Sequence, residues 1–287
     1  MVFLSLAILC SAALPLLFRA FHDWRVNVFW AIPANYLTCV IVGLVLTASP
    51  SGFVHVASQS WFWLAFLQGL ILAVNFFLLA YTAQHAGVSV AALASRFSVA
   101  IPAILAFLLY GDSLNFLKTI GLAGSLLSLY LCTAGGGPTK NRSYWQKALP
   151  ILVFLMFGCY FSLLKFAQAT YLDTDSYHPY VMVSFFFAFA FSLLAAIGQA
   201  ARPGPRSRVF DMAGGVALGL FNYGAVYFLI KVLGMKEWES SRVFPIYSVG
   251  VVAVSSLLAV VLFEERISGL KRIGLIVGLA AVVALNQ

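Results

Sequence analysis

Charge is what this sequence has least of. Asp, Glu, Lys and Arg together make up only 9% of its 287 residues, while 62% are hydrophobic. A water-soluble domain carries about 25% charged residues, so most of this surface is expected to face lipid. Acids are scarcer than bases, nine against 17. All nine (Asp23, Asp112, Asp173, Asp175, Asp211, Glu237, Glu239, Glu264 and Glu265) fall in expected loops or at helix ends. A carrier that trades a proton for an organic cation needs a carboxylate inside the membrane, and that mechanism is disfavoured. Cysteine is equally uninformative as chemistry. Cys10, Cys39, Cys132 and Cys159 lie inside apolar runs with no CxxC pair, and read as small buried hydrophobes. His22, His55, His85 and His178 are scattered at helix ends without carboxylates at metal spacing. No HExxH, Walker loop or GxSxG elbow is present. The expectation is a protein that is not an enzyme and holds neither metal nor cofactor.

The basic excess, +8, is not a nucleic-acid signature, because the Lys and Arg residues sit in short clusters between apolar runs rather than along one polar face. Basic loops between apolar spans are what membrane insertion requires. The first apolar run has no basic segment before it and ends in Phe18-Arg19 rather than an A-x-A site, so it reads as a retained helix and not a signal peptide.

A bilayer core of about 30 Å takes about 20 apolar residues of helix. Spans of that kind cover 2–21, 28–48, 60–83, 88–110, 115–133, 148–168, 179–200, 209–231, 239–262 and 267–285. Ten spans use nearly the whole chain and leave no room for a soluble catalytic domain. The longest connection, AGGGPTKNRSYWQK, falls at the midpoint. Trp24, Trp61, Trp63, Trp145 and Trp238 lie near span ends, where an interfacial aromatic belt is expected.

The two halves repeat. Asn75 aligns with Asn222, Gly87 with Gly234, Ser95-Arg96 with Ser241-Arg242 and Arg19 with Lys165. GDSLNFLKTIG (111–121) aligns with EERISGLKRIG (264–274), sharing Lys118/Lys271, Ile120/Ile273 and Gly121/Gly274. The expected organisation is a first five-helix repeat at 1–134, a linker at 135–147 and a second five-helix repeat at 148–287. Five crossings is an odd number, so the second repeat must traverse the membrane in the opposite sense. The fold class expected is therefore an all-α integral membrane protein of ten transmembrane helices, built as two inverted five-helix repeats.

The ends of each half carry a resemblance. A helix rich in small residues leads to an acidic loop, Leu109-Tyr110-Gly111-Asp112 and Leu262-Phe263-Glu264-Glu265; a glycine-spaced fifth helix follows, Gly121-Leu-Ala-Gly124 and Gly274-Leu-Ile-Val-Gly278. In this the chain resembles the drug/metabolite transporter superfamily, in particular its EamA-like ten-helix branch. Gly-Asp stands in the first half where that family commonly has Gly-Glu. The resemblance implies a central cavity and the export or exchange of amino acids, other metabolites or drugs. The small multidrug-resistance relatives hold a carboxylate in their first helix; this first helix, VFLSLAILCSAALPLLF, holds none.

Candidate site residues are the polar side chains set in apolar spans. Arg96 lies well inside the fourth span, where an Arg costs at least ~2.5–3.5 kcal/mol near the centre and should face a cavity or a partner. It either grips a carboxylate or phosphate of the substrate with its guanidinium fork, or snorkels and pairs with helix-end carbonyls. Arg242, nearer a helix start, offers the same choice. Asn75 and Asn222, each flanked by aromatics, either line a cavity or bond to a neighbouring helix. Asn35, Tyr36, Gln68, Tyr81, Tyr227 and Tyr247 are further inward candidates, suited to a small organic molecule or simply to packing. Pro102 and Pro245 interrupt their helices and serve as hinges or static kinks. Arg19 and Lys165 are expected to snorkel to headgroups. Gly215-x-x-x-Gly219 and Gly274-x-x-x-Gly278 read as faces for close helix contact.

Loop charges set orientation. Odd-numbered loops hold Arg19, Arg25, Lys140, Arg142, Lys147, Arg202, Arg206, Arg208, Arg266, Lys271 and Arg272; even-numbered loops hold Lys118, Lys165, Lys231 and Lys236. Eleven against four places the odd loops in the cytoplasm and both termini outside, against the cytoplasmic termini that the resemblance implies. The reading is a secondary transporter, monomer or homodimer, in a bacterial inner membrane. Its partners are the lipid bilayer and a small zwitterionic or anionic metabolite such as an amino acid, with no nucleic acid. The alternatives are a drug exporter of the same superfamily and a non-transporting membrane partner protein.

Overall fold

The structure is a computed structural model. It describes residues 2–46, 56–86, 94–96, 98, 101–102, 104–105, 108, 116–134, 144–173, 175–198, 208–235, 238–263 and 269–285. Nine helices lie among the described residues: α1 (Val2–Asp23), α2 (Val28–Leu46), α3 (Phe62–Ala86), α4 (Phe116–Ala134), α5 (Tyr144–Thr170), α6 (Tyr177–Gly198), α7 (Arg208–Leu233), α8 (Ser240–Phe263) and α9 (Gly269–Leu285). No strand occurs among those residues. In hydrocarbon each backbone N–H and C=O must be satisfied within its own segment, which a helix does. Seven helices, α1 to α3 and α5 to α8, are long and apolar enough to cross a membrane; α4 and α9 contain shorter apolar stretches, Thr119–Ser128 and Arg272–Ala281.

The nine helices coincide with nine of the ten expected spans. The fourth span, 88–110, lies largely outside the described residues. Within it Ala94, Ser95, Arg96, Ile101, Pro102, Ile104, Leu105 and Leu108 are helical and Ser98 is in a turn. The acidic loops around Asp112 and Glu264-Glu265 and most of the midpoint linker also lie outside the described residues.

The outer faces are greasy. Ile273, Ile276, Leu279 and Val283 of α9 are all exposed, as are Val209, Val216 and Leu220 of α7. Contiguous apolar surface on this scale is an aggregation hazard in water and the proper exterior for lipid.

Packing divides the chain into two compact units that cut across the sequence halves. Unit 1 is Met1–Phe77 with Leu163–Gly234, and unit 2 is Leu78–Ser162 with Met235–Gln287. In unit 1, α2 packs on both α6 and α7, and α1 packs on α7. A Cβ on Gly215 would collide with the Ala31 carbonyl and the Ala34 side chain, and one on Gly219 would lie 2.6 Å from Thr38 Cβ. The glycine-spaced face of α7 thus seats directly on the small residues of α2, as the sequence pattern anticipates. Gly69 of α3 meets Phe187 and the Ser184 carbonyl of α6 in the same way. Asp211, buried in the first turn of α7, accepts the Asn27 backbone N–H at 2.8 Å, and Asn27 Oδ1 accepts the Phe29 N–H at 3.0 Å. Two otherwise orphaned donors at the start of α2 are thereby satisfied.

In unit 2, α4 packs along α9 and both touch α8. Gly124 approaches Ala281, Gly278 approaches Ser128 and Val249, and the Ser128 hydroxyl donates to the Gly274 carbonyl at 2.6 Å. The glycine-spaced fifth span of one half therefore packs on the glycine-spaced fifth span of the other. Likewise α2 and α6, the second spans of the two halves, pack on each other in unit 1.

Candidate functional site

Polar side chains inside the apolar helices of unit 1 are gathered rather than scattered. Asn35 on α2 and Asn222 on α7 are both buried, and the Asn222 amide donates to Asn35 Oδ1 at 3.1 Å. The close seating of Gly219 on α2 brings the two helices near enough for this bond. The Asn35 amide nitrogen, also buried, has no hydrogen-bond partner among the described residues. Such an orphaned donor costs about 1–3 kcal/mol and marks a place for a polar guest or water. Tyr36 is fully buried, and its hydroxyl donates to the Leu72 carbonyl on α3 at 2.8 Å, tying α2 to α3. Gln68 and Asn75, buried on α3, share the face of Leu72 at helical spacing. The sequence repeat pairs Asn75 with Asn222, yet the partner of Asn222 is Asn35.

A run of aromatic rings continues from this cluster. Phe76 meets Tyr36 at 5.3 Å between centroids, Tyr36 meets Phe185 at 5.9 Å, and Phe185 meets Tyr223 at 6.0 Å. Tyr223 lies 5.8 Å from Tyr227, whose ring stacks on His178 at 3.9 Å. His178 Nδ1 and the Tyr223 hydroxyl share a hydrogen bond of 2.7 Å, with the direction set by the imidazole tautomer. Lys231 places its ammonium 4.8 Å from the Tyr227 centroid and 5.2 Å from that of Phe3.

Unit 2 holds the arginines. The Arg96 guanidinium lies over the Tyr247 ring, 5.6 Å from its centroid, a cation–π arrangement on a buried aromatic. Arg242 forms an ion pair with Glu239, one turn away, at 3.6 Å. Ser98, fully buried, donates its hydroxyl to the Ser95 carbonyl, while the Ser248 hydroxyl, buried beside Tyr247, has no partner among the described residues. Pro102 and Pro245 are both buried, Pro245 within α8. Pro15, Pro33 and Pro150 likewise lie inside helices, so internal proline is general in this chain. Tyr81, unlike the other candidate tyrosines, is exposed, at 51%.

Several expectations shift. Trp61 is only 3% exposed and packs edge-on against Tyr180 at 5.9 Å, so it is a core residue and not part of an interfacial belt; Trp24 and Trp63 are exposed, as a belt requires. Lys165, expected to reach for headgroups, donates instead to Gln168 at 2.8 Å and lies 3.5 Å from the Leu233 carbonyl at the end of α7. Sequence reasoning missed His178, Tyr223 and Lys231. Tyr223, Tyr227 and Lys231 recur every four residues along one ridge of α7, continuing Gly215 and Gly219, and that spacing was the available signal. Nothing in the sequence ties His178 to them.

These features define a class: a chain whose described residues are almost wholly helical, with seven helices long and apolar enough for a polytopic membrane protein and polar groups held inside. No family model matches it. An uncharacterized protein of Haemophilus influenzae is 25% identical over 98% of this chain and 96% of its own length. A protein solved by crystallography superposes with a TM-score of 0.76 at 18% identity, covering 99% of this chain and 94% of the other, a likeness of fold.

Proposed function

We propose that the chain is a secondary transporter that moves a small zwitterionic or anionic metabolite, such as an amino acid, across a bacterial inner membrane by alternating access. The observation that carries this reading is the buried Asn35–Asn222 pair with its unused amide donor, next to the buried Tyr36, inside membrane-length helices that also bury Gln68 and Asn75. Amides at that depth are costly in lipid, and a polar solute in transit is a natural partner for them. Arg96, held over Tyr247, supplies a cationic contact for a carboxylate. Asp211, the acid buried within a membrane-length helix, is committed to the Asn27 N–H, which leaves carboxylate-linked exchange of cations without support. The EamA-like features at the end of each half agree with this reading.

The test is uptake of a labelled metabolite panel into proteoliposomes. At least one zwitterionic or anionic compound should enter, and Arg96→Ala should lower that uptake more than tenfold while leaving the elution profile of the purified protein unchanged. Transport of no compound, or full transport by Arg96→Ala, would overturn the proposal or its cationic contact respectively.

A further inference from the structure

The geometry points to a carboxylate-binding site built from His178, Tyr227 and Lys231, wholly within unit 1, that takes a small monocarboxylate. Three side chains able to donate hydrogen bonds pack around one ring, His178 stacked on Tyr227 and Lys231 against it. The Lys231 ammonium contacts the faces of Tyr227 and Phe3 and forms no hydrogen bond or ion pair among the described residues. Ring faces offset only about 0.5–2 kcal/mol of its charge. The Leu233 carbonyl at the end of α7 is approached by Lys165 and not by Lys231. Tyr227 is 8% exposed, and its hydroxyl has no partner among the described residues.

His178 uses one ring nitrogen on Tyr223 and keeps the other without a described partner. When Tyr223 donates to Nδ1, Nε2 carries the proton and becomes a third donor. The Tyr223 hydroxyl is fixed in this bond, so the imidazole orientation is set before any ligand arrives. The 3.9 Å stack of His178 on Tyr227 holds the two side chains as one rigid body. A monocarboxylate satisfies this set: its two oxygens accept from an ammonium, an imidazole N–H and a phenol. A neutral amide of the same shape satisfies it poorly, because it brings donors of its own and no charge to Lys231.

This site does not depend on the transport reading, and a binding measurement tests it separately. The full chain, labelled with 15N-histidine and placed in phosphatidylcholine nanodiscs, is titrated with benzoate and, in parallel, with its neutral isostere benzamide. The His178 ring signals are assigned by their loss in His178→Asn. Benzoate should move them saturably, benzamide at least tenfold more weakly, and Lys231→Met should weaken the benzoate response by a similar factor while Lys231→Arg retains it. Four results would each overturn the site: His178 signals unmoved by benzoate, an equal response to benzamide, an undiminished response in Lys231→Met, or loss of the benzoate response when phosphatidylglycerol is added. The last would assign the donors to a lipid headgroup. The wild-type comparison of benzoate with benzamide decides the matter even if Lys231→Met does not fold.

Discussion

A single amide shows how membrane burial turns a modest bond into a constraint. Asn222 gives one N–H to Asn35, and both side chains are buried. Asn222→Leu strands the Asn35 oxygen and should lower stability by about 1–3 kcal/mol. Asn35→Leu strands Asn222 in the same way. The double variant leaves neither amide unsatisfied, so it should be less destabilised than the sum of the two, with a coupling of about 0.6–2 kcal/mol. Unfolding midpoints of the four proteins in one detergent measure this directly, and strict additivity would mean that the bond contributes nothing. These residues were legible in the sequence because an amide among apolar side chains stands out. Their partnership was not: the repeat sets Asn222 and Asn75 at equivalent positions without naming a partner for either, and only the seating of α7 on α2 brings Asn222 to Asn35. His178 was illegible for the opposite reason. A histidine at a helix end looks solvated until Tyr223, 45 positions away, is found hydrogen-bonded to it.

Between elements, glycine sets the distances. A Cβ on Gly219 would press on the Asn35 carbonyl at 2.5 Å and on Thr38 Cβ at 2.6 Å, so α7 must move off α2 to accept it. Gly219→Ala should therefore cost about 1–3 kcal/mol and also loosen the asparagine pair, whereas Gly198→Ala, which meets nothing within 4 Å, should change stability by less than about 1 kcal/mol. Paired thermal melts check the contrast; equal melting points would show that the α2–α7 contact is not tight. This element-level packing was readable, since glycines four apart on an apolar helix announce a close neighbour, although not which one. The loop before α6 makes a pH-dependent contribution. The Ser176 hydroxyl at 2.5 Å and its backbone N–H at 2.9 Å both donate to Asp173 Oδ1 and hold that carboxyl below its usual range. A depressed acid stabilises fully above its unfolded value, about 3.9, and the contribution disappears as pH falls through the lower folded value. Amide exchange at Ser176, corrected for intrinsic rates, should accelerate below about pH 4. Asp173→Asn should remove that acceleration, and an unchanged profile in the variant would assign the effect elsewhere.

At the scale of the whole molecule, composition revealed more than any motif: the shortage of charge pointed to an apolar exterior, and the runs of apolar residues placed the nine helices of the described residues within a few positions. The grouping of those helices was out of reach, because each compact unit draws on both halves, and contact between distant segments leaves no periodicity to read. Orientation is a separate property, written in the loops. The side chains that argue for it are the basic residues near span ends, and the structure sharpens their meaning. Lys118, Lys165 and Lys231 lie within α4, α5 and α7, so three of the four basic residues on the even side sit within helices, Lys165 engaged with Gln168 and Lys231 against aromatic faces. The odd side retains Lys140, Arg142, Arg202 and Arg206 in connections that hold no neighbouring acid. Positive loops resist translocation whether or not the helices between them are repeat-related. Both termini should thus face away from the cytoplasm: a phosphatase fusion at the C-terminus, active only outside, should be active, and a fluorescent reporter that matures only in the cytoplasm should stay dark. The reverse pattern would mean that the fold's insertion is governed by the first helix, and that the charge imbalance serves another purpose.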